Sequence, residues 1–145
     1  MQAFPHHYAA TAAAGSGGDV TLESPRLPSL QSAPPTEFGG PGDCWSPETL
    51  LVAAVADCFI LTFRAIAAVS KLPWISLTCE VAGTVDRIER VTQFTGFQVT
   101  ARLRVPPGTN QELAHRTLTR AEQTCLVTNS LKAAPHLETH VEVEE

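Results

Sequence analysis

Between Ser46 and Pro73 lies a helix that a chain of 145 residues has little means of covering. Ser46-Pro47-Glu48 starts it: Ser46 can cap, Pro47 fits the first helical position, and Glu48 suits the positive end of the dipole. It runs through Ala56, Cys58 and Ala65 to about Leu72, where Pro73 stops it. Only Asp57, Arg64 and Lys71 interrupt its apolar surface, and their seven-residue spacing puts them on one narrow stripe. A helix apolar around most of its girth is expected to be buried on nearly all sides. That demand points to an oligomer. The apolar stretch Leu50 to Phe63 is broken by Asp57 and closed by Arg64, which reads as too short and too charged to span a bilayer.

The remaining pattern reads as a single domain over residues 1–145, with residues 1–7 a flexible N-terminus. Tyr8 to Ala13 and Asp19 to Glu23 are two short strands around Gly15-Ser16-Gly17-Gly18, and Ser24 to Asp43 is a long Pro- and Gly-rich connection. Ile75, Leu77, Cys79, Val81 and Val85 alternate with polar residues, as do Phe97, Val99, Ala101, Leu103 and Val105. Both are half-buried strands. Asn110 caps a second helix with Leu113, Ala114, Thr117, Leu118, Ala121 and Cys125 on its inner side. In the last strand Leu137, Thr139, Val141 and Val143 face inward. Meander-like strands with two helices predict an antiparallel-rich α+β fold.

Charge and cysteine usage narrow the chemistry. Fifteen acids against ten bases leave a net charge of −5, with no basic run to neutralise phosphates, so nucleic acid is not an expected partner. No Lys or Arg precedes Arg26, so the charged start of a secretory signal is missing. A cytoplasmic location and four reduced cysteines are the expectation. Cys58 and Cys125 lie on apolar helix faces, where a cysteine is either a small core residue or a reactive thiol. Cys79, on the inner face of a strand, reads as structural, and Cys44 as an exposed loop residue without an evident partner. No metal and no cofactor is expected. On a strand His136 and His140 stand about 13 Å apart, four residues at about 3.3 Å each, too far to share an ion.

The motifs resemble the OsmC/Ohr family of thiol-dependent peroxidases. They are Phe38-Gly39-Gly40, Ser46-Pro47-Glu48 with Leu50-Leu51, and Ala56-Asp57-Cys58-Phe59. The second half, Cys125-Leu126-Val127-Thr128-Asn129-Ser130-Leu131-Lys132, resembles the family's Cys-Pro-Val-Ser-Asn-Ser-Leu segment. The resemblance implies an intertwined homodimer in which two long central helices cross and are wrapped by sheets. It implies reduction of organic hydroperoxides, with Cys58 peroxidatic, Cys125 resolving and Glu48 the active-site acid. It also implies a small hydroperoxide and a dithiol reductant of lipoyl or thioredoxin type as partners. Ten residues of helix set Glu48 about 15 Å along the axis and about 80° around it from Cys58, so the acid serving a thiol would come from the partner chain.

Two departures bear on activity. The family carries an Arg near the first hairpin turn that pairs with the Glu and holds the thiolate. Here the turn is Ala13-Ala14-Gly15-Ser16-Gly17-Gly18, leaving Arg26 or Arg64 as substitutes, and Leu126 replaces proline. Without the cation, and with Asp57 beside it, Cys58 is expected to ionise less readily than in an Arg-bearing relative. The competing reading is an OsmC-like dimer that binds a small apolar or electrophilic ligand without turnover.

Overall fold

In a computed structural model that describes all 145 residues, Ser46 and Thr49 close the start of helix α1 (Pro47–Ser70) reciprocally. The Thr49 N–H donates to Ser46 Oγ at 3.1 Å, and the Ser46 N–H donates to Thr49 Oγ1 at 2.9 Å. Two of the N–H groups that a helix start leaves unpaired are thereby satisfied. At the other end Lys71 takes a left-handed φ of 56° and the Leu72 N–H reaches back to the Ala67 carbonyl at 3.0 Å. That is a Schellman closure with lysine where glycine is usual, and it ends α1 before Pro73 is reached.

The chain divides into two compact units, Met1–Leu50 and Leu51–Glu145. The first holds an antiparallel meander of β1 (Thr11–Ala13), β2 (Val20–Glu23) and β3 (Leu30–Ser32), followed by a single 3-10 turn at Thr36–Phe38. The expected hairpin is there, but β1 is shorter than Tyr8 to Ala13, and β3 lies inside the stretch read as loop. Gly39, at φ 85°, ends the 3-10 turn. A Cβ on Gly40 would fall on the Pro34 carbonyl, so the loop can close only where the side chain is absent.

The second unit is built on a three-stranded sheet of β4 (Ser76–Ile88), β5 (Val91–Val105) and β6 (Pro135–Val143). β4 and β5 form a long antiparallel hairpin turning at Glu89-Arg90, whose φ values of 49° and 69° give a primed two-residue turn. The sequence places no strand residues beyond Asp86 or before Phe97, because Glu-Arg carries none of the usual turn signals. The register shifts at Thr84/Val85, where Thr95 of β5 is the extra residue, and Val85 is 39% exposed rather than buried as its alternation suggested. β6 pairs with β5 in parallel, joined through α2 (Gln111–Thr124) and the short α3 (Leu126–Asn129). The sheet is therefore mixed: alternation specifies a face but not a direction, and a helix between two paired strands carries the chain back to the same end.

The core of this unit comes from three elements. α1 contributes Val55, Phe59, Phe63 and Ala67, one stripe at four-residue steps. β5 contributes Phe97, Val99, Ala101, Leu103 and Val105, and α2 contributes Ala114, Leu118 and Ala121. The Phe63 ring meets Trp74 edge-on at 5.3 Å. The rest of α1 is not covered within one chain: Leu61 and Val69 are 51% and 86% exposed. The helix has the expected extent, but its apolar stretch is not too short or too charged to span a bilayer as the sequence suggested. By length and composition it would cross a bilayer, with a mean hydropathy of 2.1 over 18 residues, but its Val55–Ala67 stripe packs into a protein core.

Replacing Gly40 with alanine is expected to destabilise the first unit by at least the 1–3 kcal/mol or so typical of overpacking, because the obstacle is backbone. Chemical denaturation of Gly40→Ala against the unmodified protein measures this.

Candidate active site

Cys58 flanks the buried stripe of α1, one residue before Phe59, and is held there by that stripe. One turn later the Thr62 hydroxyl lies 3.8 Å from its sulfur. Cys125 arrives by another route. The amphipathic α2, capped by the Asn110 side chain on the Leu113 N–H at 3.1 Å, buries Ala114, Thr117, Leu118 and Ala121. At Cys125 the backbone leaves the helix (φ −64°, ψ 113°), and α3 begins directly after it.

Thr128-Asn129-Ser130 fixes that break. The Asn129 N–H and the Thr128 hydroxyl both donate to the Cys125 carbonyl, at 3.0 and 3.2 Å. The Asn129 side chain donates to the Gln123 carbonyl at 3.2 Å, and the Ser130 hydroxyl to that of Leu126 at 2.8 Å. Short polar side chains that bond to nearby backbone suit such a break, where a continuous helix would carry Cys125 away.

The two sulfurs are brought together, and their surroundings push them in opposite directions. Burial raises the Cys58 thiol, but the Val127 N–H, the Cys125 thiol, the Thr62 hydroxyl and the Leu126 N–H all donate to its ionised form. The balance lies below the ordinary thiol value. Cys125, fully buried, is raised by that burial; the Thr128 N–H opposes the rise, and the hydrogen bond to Cys58 adds to it. The two thiols are thus shifted in opposite directions, Cys58 toward easier ionisation and Cys125 toward harder. The groups that lower Cys58 are uncharged donors rather than a cation. Arg64 and Asp57 are both exposed.

The other candidates have surroundings of their own. Cys79, half-buried on β4, is pushed up to about 11 by burial and by the negative charge that Cys125 and Glu80 would carry. Cys44 is not free of partners: its sulfur lies 3.5 Å from Asp43 and 3.9 Å from Asp19, and burial together with these acids raises it. Glu48 sits in the first turn of α1, in the first unit, with Oε1 buried and unbonded. It lines an apolar cavity of about 430 Å³ with Val20, Leu22, Pro34, Pro35 and Phe38. His136 and His140 lie on the outer face of β6, where His140 bonds Glu138 at 2.9 Å.

The model of a known family, described as OsmC-like protein, matches residues 40–140, a span that includes both thiols. The chain belongs to the OsmC-like family. An organic hydroperoxide resistance protein of Xanthomonas axonopodis pv. citri is 31% identical over 125 residues, 85% of this chain and 84% of that protein. The uncharacterized Bacillus subtilis protein YmaD is 27% identical, covering 96% of this chain and 95% of its own. Among solved structures, an organic hydroperoxide resistance protein of Legionella pneumophila superposes with a TM-score of 0.74 at 26% identity, over 95% of this chain and 98% of that one. An OsmC-like protein of unknown function from Vibrio cholerae superposes at 0.80 with 18% identity, sharing the α+β fold.

Residue types alone did not point to Thr62 or to the N–H groups of Leu126 and Val127. The first could have been found as the neighbour one turn from Cys58. The N–H groups have no side-chain signature.

Alkylation of the reduced protein should label Cys58 first. Its rate should climb with pH to a midpoint below that of a free thiol, since only the thiolate reacts and its pKa is lowered. Cys79, at about 11, should remain unlabelled near pH 8. Peptide mapping across a pH series checks both, and labelling of Cys79 ahead of Cys58 would refute the assignment.

Proposed function

We propose that this OsmC-like chain reduces organic hydroperoxides through Cys58 and Cys125. The observation that carries the reading is the meeting of Cys58 on α1 with Cys125 at the α2–α3 break, in surroundings that lower the first thiol and raise the second. The names of the Xanthomonas and Legionella relatives, organic hydroperoxide resistance proteins, support a role against the same substrates.

In this reading the Cys58 thiolate attacks the distal peroxide oxygen. An S–O bond forms, the O–O bond breaks, and the alkoxide takes a proton and leaves as the alcohol. Cys58 is then a sulfenic acid. Cys125, as thiolate, attacks the Cys58 sulfur, forming the disulfide and releasing hydroxide, and an external dithiol reopens it by exchange. The peroxide is reduced by two electrons and the thiol pair is oxidised by two.

Assembly belongs to this proposal. The uncovered face of α1, with Leu61, Ala65, Ala68 and Val69, is suited to burial against a second copy. A homodimer would also allow the partner's Glu48 to serve the thiols. The second reading, ligand sequestration without turnover, draws on the apolar cavity beside Glu48.

Cys58→Ser is expected to abolish peroxide reduction. Cys125→Ser should support one turnover and leave a sulfenic acid trappable with dimedone, and stopped-flow oxidation with an alkyl hydroperoxide measures both. An unmodified protein that binds hydroperoxide but leaves it intact would favour sequestration instead. Light scattering should give twice the 15.5 kDa chain mass at micromolar concentration, and a folded monomer would refute the assembly.

A further inference from the structure

We infer that the Thr62 hydroxyl is a positioning group for the Cys58 sulfur, turned away from the helix backbone so that it donates to that sulfur when the thiol ionises. The inference rests on the proposed chemistry for its consequence, a nucleophile held ready for the peroxide, though not for its test.

Between the Ser46–Thr49 cap and Ser70, the last residue of α1, Thr62 carries the helix's only hydroxyl. A threonine inside a helix ordinarily has its hydroxyl on the carbonyl one turn back. α2 follows that habit throughout: Thr117, Thr119 and Thr124 donate to the carbonyls of Leu113, His115 and Arg120, at 2.8, 3.1 and 2.8 Å. Thr62 departs from it. Its hydroxyl makes no bond to the Cys58 carbonyl, and its one partner is Cys58 Sγ at 3.8 Å. Side chains of a helix lean toward its N-terminus, so a residue four positions on overlies the one before it. Phe59 and Phe63, the residues after Cys58 and Thr62, are both buried, so one packing contact fixes both backbone positions.

While Cys58 is a thiol, either atom of this contact can be the donor. A thiolate only accepts, so on ionisation the hydroxyl becomes the donor, and a bond to an ionised acceptor is the stronger kind. The contact therefore favours the ionised sulfur, in agreement with the lowered thiol. Of the titratable groups around it, Cys125 faces Cys58 from the α2–α3 break and Cys79 on β4 lies on the side of Cys125. Asp57 and Arg64, on α1 itself, are exposed.

The test compares Thr62→Val with Thr62→Ser, reading the pH dependence of Cys58 alkylation in the full-length reduced protein by peptide mapping. Valine keeps the branched shape and removes the donor; serine keeps the donor and loses the methyl group. Thr62→Val should move the midpoint upward and slow alkylation at neutral pH about tenfold, the lower end for one hydrogen bond to a charged group, as suits a contact of this length. Thr62→Ser should hold the midpoint of the unmodified protein. An unchanged midpoint in Thr62→Val, or an equal shift in both variants, overturns the inference, since loss of packing alone would not separate them. Should Thr62→Val fail to fold, the Thr62 Cβ resonance of the unmodified protein decides. Its NMR shift should follow the ionisation of Cys58 and lose that response in Cys58→Ser, and a shift indifferent to Cys58 overturns the inference. Neither measurement uses peroxide, so a protein inactive toward hydroperoxides would refute the proposed function and leave this result standing.

Discussion

The stripe Val55, Phe59, Phe63 and Ala67 holds this structure together. Each of these side chains is at most 2% exposed, and together they press α1 into the core shared with β5 and α2. Truncating such a residue typically costs about 3–5 kcal/mol for phenylalanine, a large part of the stability of a small domain. The site depends on the same packing. Cys58 is next to Phe59 in sequence, so the contacts that bury the phenylalanine also set the rotation of α1 that turns the thiol toward Cys125.

The second dependence is on a break in a helix. Had α2 continued through Cys125, the N–H groups of Leu126 and Val127 would have been spent on carbonyls four residues earlier. Because the backbone extends at Cys125 and restarts, those donors are left free. The hydrogen bonds of Thr128, Asn129 and Ser130 maintain the break. A local backbone feature thus sets the chemistry of a thiol on another element. Burial alone would have driven both cysteines toward inert thiols.

Much of the fold was legible. The Ser46 cap, the Asn110 cap, the inward residues of β5 and β6 and the buried side of α2 follow from short-range pattern, and the structure has them. What was not legible has physical causes. The β4–β5 turn at Glu89-Arg90 uses positive φ in residues that seldom adopt it, so no turn signal marks it. The parallel pairing of β5 with β6 is a matter of direction, to which alternation is blind.

The sequence by itself determined most of the elements, the family and the two thiols worth examining, because caps, periodicity and motif residues act over a few positions. It also determined that α1 has more apolar surface than one chain covers. Only the tertiary structure showed which groups bear on the ionisation of Cys58. The sequence shows a missing cation, and from that alone the thiol would be expected to lie high. The structure shows donors that belong to the backbone, which every residue but proline possesses and no composition reveals. A thiol responds to the charges and dipoles within a few ångströms of its sulfur, and chain folding alone decides which peptide groups those are.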